Sequence, residues 1–194
     1  MGTNTCAREG AAAPKTGGGV YWMPLSAVTP TNATSALPGT AVCLGPISDA
    51  GIRPTRDTSL EKIKEWDGSN LATLVSEENR GFEFDVLGVF DPDLLKVIYG
   101  TANVTVTAAI VGTPTKLAIV DKGGQLAKGQ LVFEMKHGNI KQRKCVPVVQ
   151  PNVTAENPYI PGGLRGWTIT AEVEKDSSGS FTYEYDELDD ALPA

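Results

Sequence analysis

Among its 194 residues the chain has one histidine, three cysteines and only 7% aromatics, and it has no run of 18 or more apolar residues. Each shortage excludes something. Without such a run there is no membrane-spanning helix to read. The cysteines, Cys6, Cys43 and Cys145, are odd in number and widely spaced, so they outline neither a C-x-x-C zinc site nor a disulfide framework. The lone His137 stands before a Gly138-Asn139 turn, with no nucleophile or orienting partner nearby in sequence. G-x-S-x-G, H-E-x-x-H and a phosphate loop ending in Gly-Lys-Ser/Thr are all missing. Gly17-Gly18-Gly19 is not followed by the helix that phosphate binding requires. The expectation is a protein that is not an enzyme and has no catalytic residues, no cofactor and no metal.

Cations are also scarce: 17 Lys and Arg face 23 Asp and Glu, for a net charge of -6 and a pI near 4.8. Such a chain repels phosphate and is a poor reader of nucleic acid. Residues 1–19 lack the basic and apolar regions of a secretory leader, so residence in the cytoplasm is expected, and the Asn-x-Thr sequons at Asn32, Asn103 and Asn152 read as chance matches.

What is abundant is turn chemistry. The chain has 21 glycines and 13 prolines, above the usual share of roughly 12% for the two together, which favours short strands over a helical bundle. Residues 1–50, poor in charge and rich in Gly, Pro and Thr, read as an extended N-terminal arm in which only Val20-Met23 and Ala41-Leu44 resemble strands. Residues 51–188 read as the folded domain and 189–194 as an acidic tail. Within the domain, Phe82, Phe84 and Val86 alternate with Glu83 and Asp85, the pattern of a half-buried strand. Asp91-Pro92 followed by Leu94, Leu95, Val97 and Ile98 predicts a capped helix over 92–99. Further alternating runs start at Val104, Leu131, Trp167 and Phe181. Leu60, Ile63 and Trp66 recur every three residues, and with Thr58 and Glu61 resembling a capping box, local rules favour a helix there.

Charge is segregated. Residues 116–144 carry seven cations against Asp121 and Glu134, and residues 172–190 carry eight carboxylates against Lys175. Solvated faces explain either block alone. Together they suggest a head-to-tail contact between copies, with Lys136, Lys141, Arg143 and Lys144 meeting Glu184, Asp186, Glu187, Asp189 and Asp190.

The stretch from Leu60 to Gly100, with Ile63-Lys64-Glu65-Trp66-Asp67-Gly68, Leu74-Val75-Ser76-Glu77, the alternating aromatics of Phe82-Val86 and a helix ending in Tyr99-Gly100, resembles the major tail proteins of long-tailed bacteriophages. Leu131-Cys145, Thr154-Glu156, Gly166-Thr170 and Tyr183-Tyr185 follow in the same order, so the likeness covers about residues 50–188. It implies a mainly β fold, a β-sandwich or barrel-like core with one flanking short helix, forming hexameric rings that stack into a tail tube for DNA delivery. It also implies a long assembly hairpin over Leu60–Ser76, turning at Asp67-Gly68, whose interface and lumen candidates are Leu60, Ile63, Trp66, Asp67, Gly68, Leu71 and Leu74. The implied partners are further copies, tape-measure, terminator and baseplate or tip proteins, and DNA in transit without specific binding or membrane insertion. The implied location is the virion tail, after assembly in the host cytoplasm. The alternatives are another ring-forming tail protein, such as a terminator or completion protein, and a β-sandwich carbohydrate-binding or adhesion module using Trp22 or Trp66.

Overall fold

A computed structural model describes residues 19–88, 91–137, 139–158, 160 and 165–188. The chain is mainly β, with ten strands, one α-helix and one 3-10 turn among the described residues. The strands are β1 (Gly19–Pro24), β2 (Val42–Cys43), β3 (Ile47–Lys64), β4 (Asn70–Leu87), β5 (Val104–Thr107), β6 (Lys116–Ile119), β7 (Gly129–His137), β8 (Ile140–Glu156), β9 (Gly166–Val173) and β10 (Tyr183–Leu188). Eight of them form one antiparallel sheet in the order β2-β1-β7-β8-β9-β4-β3, with β10 also on β8, while β5 and β6 pair separately.

That sheet is curled. β4 and β7 are separated in the order by β9 and β8, so at about 4.8 Å per strand a flat sheet would hold them ~14 Å apart. Yet Phe82 of β4 and Phe133 of β7 meet edge to face, with ring centroids 4.9 Å apart. The two halves therefore face each other across a core that includes Val20, Phe84, Val146, Trp167 and Ile169. The sheet stays open, because no described pairing joins its end strands β2 and β3.

β8 makes the bend possible. Its first half pairs β10 through Ile140 to Cys145, and its second half pairs β9 through Val149 to Glu156, both on the edge opposite β7. Pro147 lies between these partners and beside a register shift against β7, where an absent N–H costs no ladder bond.

The helix α1 (Pro92–Tyr99) forms as its sequence predicts. Asp91 caps it by accepting from the Asp93 and Leu94 amides at 3.0 and 3.3 Å, Pro92 opens the first turn, and Leu94, Leu95 and Ile98 are buried. Trp167 and the alternating Phe82, Phe84 and Val86 are also core residues.

The expected arm is corrected from residue 19 onward. β1 lies inside the sheet between β2 and β7, and Val20, Tyr21 and Met23 are buried. Low charge and frequent Gly and Pro here reflect a double-sided core strand and its long loop. That loop covers a second apolar cluster of Tyr21, Met23, Leu37, Cys43, Val132 and Cys145. Gln130 Nε2 donates to the Ala27 carbonyl at 2.6 Å, and the Arg143 guanidinium donates to the Asn32 and Ser35 carbonyls at 2.9 and 2.8 Å. Cys43 is disulfide-bonded and Cys145 is a buried free thiol whose pKa burial pushes up to about 11. The rest of the arm, residues 1–18, and the tail, 189–194, lie outside the described residues.

Candidate assembly surface

β3 and β4 form a hairpin that leaves the body of the sheet. β4 pairs β9 only from Arg80 to Leu87, whereas its pairing with β3 runs from Val86 out to Asn70. About nine residues per strand extend past the last β9 partner, roughly 30 Å at 3.3 Å per residue. The turn is closed by Glu65 and Ser69 (amide to carbonyl, 2.8 Å), by the Asp67 carboxylate accepting from the Ser69 amide at 2.8 Å, and by Gly68 at φ +86. Hydrogen bonding from Ser69, by its side chain first and then its amide, holds the Asp67 pKa below the usual carboxylate value.

Of the residues that suggested a helix, Leu60 and Ile63 lie in β3 and Trp66 lies in the turn. A stripe at Leu60, Ile63 and Trp66 stabilises a helix only if something buries it, and the hairpin buries none of the three. Cross-strand pairing takes over: Leu60 faces Val75, Ile63 faces Ala72, and extra residues at Ser76 and Leu71 form bulges in β4. Ser76 Oγ donates to the Ser59 carbonyl at 3.1 Å and fixes the first bulge.

Two properties distinguish this projection. First, the outer edge of β3 has no described strand partner along its whole length, and neither has the outer edge of β4 from Asn70 to Asn79. Second, its faces differ in charge. Alternation places Arg56, Lys62 and Lys64 on the face continuous with the core, where Arg80 lies opposite Arg56 and Glu78 opposite Thr58 on β4. The other face carries Asp57, Glu61 and Glu77, and nearer the body Glu83, Asp85 and Glu172 against the single cation Arg53. Ion pairs brace the base: Arg53 to Glu83 at 2.7 Å and to Asp85 at 3.5 Å, and Glu78 to Arg80 at 2.7 Å and to Arg56 at 3.1 Å. The hydrogen bond from Arg80, then its charge and that of Arg56, lower the Glu78 pKa, and the bond to Glu83 raises that of Arg53.

Apolar side chains stand in solvent along the hairpin. Leu60, Leu71, Leu74 and Val75 are each more than half exposed, Ile63 is 40% exposed and Trp66 is fully exposed at the tip. Trp22, the other candidate platform, packs against the core.

The expected stacking blocks are corrected. β10 runs beside β8 in the same chain, so Glu184 pairs with Lys144, and Glu187 lies 3.6 Å from Lys141 and accepts from Thr34 Oγ1 at 2.9 Å. Arg143 is completely buried against Glu134, which rules it out as a surface contact. Lys136 lies opposite Lys141 at the end of β7, and Asp186 lies opposite Gln142. Asp189 and Asp190 lie outside the described residues. The opposite blocks attract each other within one subunit, a pairing that spacing alone did not reveal because β10 joins β8 and not its sequence neighbour β9.

Among the described residues, no group of three or more His, Cys, Asp and Glu is placed to hold a metal ion, and no helix is long and apolar enough to cross a membrane. No family model matches the chain, and no curated protein is similar to it. A chain of the solved structure described as "Cryo-EM Structure of an Extracellular Contractile Injection System, PVC sheath-tube complex in extended state" superposes with a TM-score of 0.46 at 9% identity, covering 97% of this chain and 99% of that one.

Proposed function

We propose that the protein is a non-enzymatic structural subunit that joins copies of itself into rings, the wall of a phage-type tail tube. The observation that carries this reading is the β3–β4 hairpin with both edges open. A long edge bearing exposed apolar side chains is a template for pairing with another chain. Here β3 offers one such edge and β4 the other, so the β4 edge of one copy can take the β3 edge of the next. Because the two edges are different surfaces, the contact is head-to-tail, and closing it as a ring pairs both open edges of every hairpin.

Charge sets the orientation. In a closed barrel of hairpins the subunit bodies lie outside, continuous with the core-side face, and the face with Asp57, Glu61, Glu77, Glu83, Asp85 and Glu172 turns inward. A lining of carboxylates repels a polyanion and lets DNA pass without being held. On this reading the subunit assembles in the host cytoplasm, six copies make a ring, and stacked rings meet tape-measure, terminator and tip proteins in the virion tail.

Sedimentation velocity and negative-stain micrographs of the concentrated protein test the proposal. Rings or hollow fibres of uniform width are the expected result. A monomer at every concentration and salt tried, combined with a glycan-dependent rise in melting temperature that Trp66→Ala abolishes, would replace it with the carbohydrate-binding reading.

A further inference from the structure

The molecule has a second projection, built from different chemistry. β5 and β6 form a two-stranded ribbon whose base is anchored by buried Val104, with Leu117 and Ile119 packed against the core. No charged residue occurs from Thr101 to Thr115. The tip is closed by reciprocal backbone bonds between Ile110 and Thr113 at 3.0 and 2.9 Å, with Gly112 at φ +79. It holds Ile110 at 71% exposure and Val111 fully exposed. A two-stranded ribbon has little stability of its own in water, and branched apolar side chains at its end add to the cost.

At the foot of the same ribbon lies a groove of about 250 Å³ lined by Trp22, Val42, Val97 and Leu126, with Gly100 and Thr101 at one side. Its rim charges, Asp93 and Lys96, neutralise each other at 2.9 Å. The groove therefore suits an uncharged, branched occupant. The tip of its own chain cannot supply one. Six residues of extended ribbon separate Val104 from Ile110, about 20 Å, and the groove begins at Thr101.

We infer that the Ile110-Val111 tip of one copy seats in the Trp22-Val97-Leu126 groove of a second copy. Tip and groove are separate surfaces of one chain, so this contact is also head-to-tail and repeats along a row of subunits. It is independent of the hairpin edges and holds or fails separately from them.

A photo-reactive benzoylphenylalanine at position 111 of the full chain tests it. Irradiation of concentrated protein is expected to give intermolecular products in which the attached peptide contains Val97 or Leu126. In the Leu60→Lys background, where hairpin pairing is blocked, Val111→Asp, a change at a fully exposed site, is expected to weaken the remaining self-association at least tenfold while circular dichroism and melting temperature stay unchanged. Products that map elsewhere, no product at all, or self-association unaltered by Val111→Asp would each overturn the inference. A hairpin variant such as Leu60→Lys, expected to block ring closure, should leave the position-111 product intact; its disappearance there would mean that tip docking is only a by-product of rings, which also overturns it.

Discussion

Arg143 lies directly opposite Glu134 across the β7–β8 ladder, and neither side chain reaches solvent. The guanidinium donates from Nε to the Glu134 carboxylate at 3.0 Å and from its other nitrogens to the loop carbonyls of Asn32 and Ser35. One side chain thus neutralises a buried carboxylate and fastens the loop over the second apolar cluster. Removing one member of such a pair leaves a buried charge without its counter-ion, at a cost of about 3–5 kcal/mol. Arg143→Ala is expected to lower stability by that order in urea unfolding, and Arg143→Lys by a large part of it, because the loop bonds need the planar fork. A loss below about 1 kcal/mol for Arg143→Ala would show that the pair is not structural.

The hairpin amides give a test of assembly. Outward-facing N–H groups on β3 from Thr55 to Lys64 and on β4 from Asn70 to Asn79 have no strand partner within the subunit. In monomer they are expected to exchange with solvent quickly, and in polymer to be protected. Hydrogen exchange on the two states checks this, and equal protection would remove the hairpin from the interface.

The acidic face predicts how the lumen treats DNA. Asp57→Lys, Glu61→Lys and Glu77→Lys together reverse the face without touching a buried residue. Polymers of this variant are expected to retain short duplex DNA, with an affinity that falls steeply as salt rises, while wild-type polymers do not. A salt-independent difference, or none, would place that face away from the channel.

Stability should fall on the acid side. The hydrogen bond from Arg80 lowers the pKa of Glu78 from its ordinary 4.5, and the bond from the Tyr183 hydroxyl, 2.6 Å away, lowers that of Asp176 from 3.8. A carboxyl lowered in the folded state contributes stability that is complete above its unfolded pKa and is lost as pH drops through the folded value. Melting temperature is therefore expected to be flat from pH 7 to about 5 and to decline below about 4.5. Glu78→Gln and Asp176→Asn should each make that decline shallower, only modestly since both groups are partly open to solvent.

How far the fold was legible follows from where its signals are local. The Phe82, Phe84, Val86 alternation and the Asp91-Pro92 cap act within a few residues, and both elements form as read. The hairpin was legible only through a family resemblance, because its apolar residues keep a helical spacing that no partner in the chain buries. β1 was misread for the opposite reason: Val20 and Trp22 pack into the main core while Tyr21 and Met23 pack into the second apolar cluster, so both faces are covered and it needs no alternation, and the turn residues around it look like an arm. Arg143 carried no mark in the sequence to separate it from its partly exposed neighbours Lys141 and Lys144. Only the pairing of β8 with β7 shows that it points inward, onto Glu134.

The position of β1 also sets a timetable for the chain as it is made. Its partner strand and the anchor Gln130 lie far downstream, with Gln130 bonding Pro24 across 106 residues. At roughly 5–20 residues per second, a ribosome needs about 5–20 s to deliver that partner. The β3–β4 hairpin, joined by a five-residue turn, emerges well before then. Newborn subunits consequently display their open edges before the sheet behind them is complete, so crowded synthesis on one message favours premature strand pairing, and a helper that shields the hairpin until β7 arrives would raise the yield of soluble subunit.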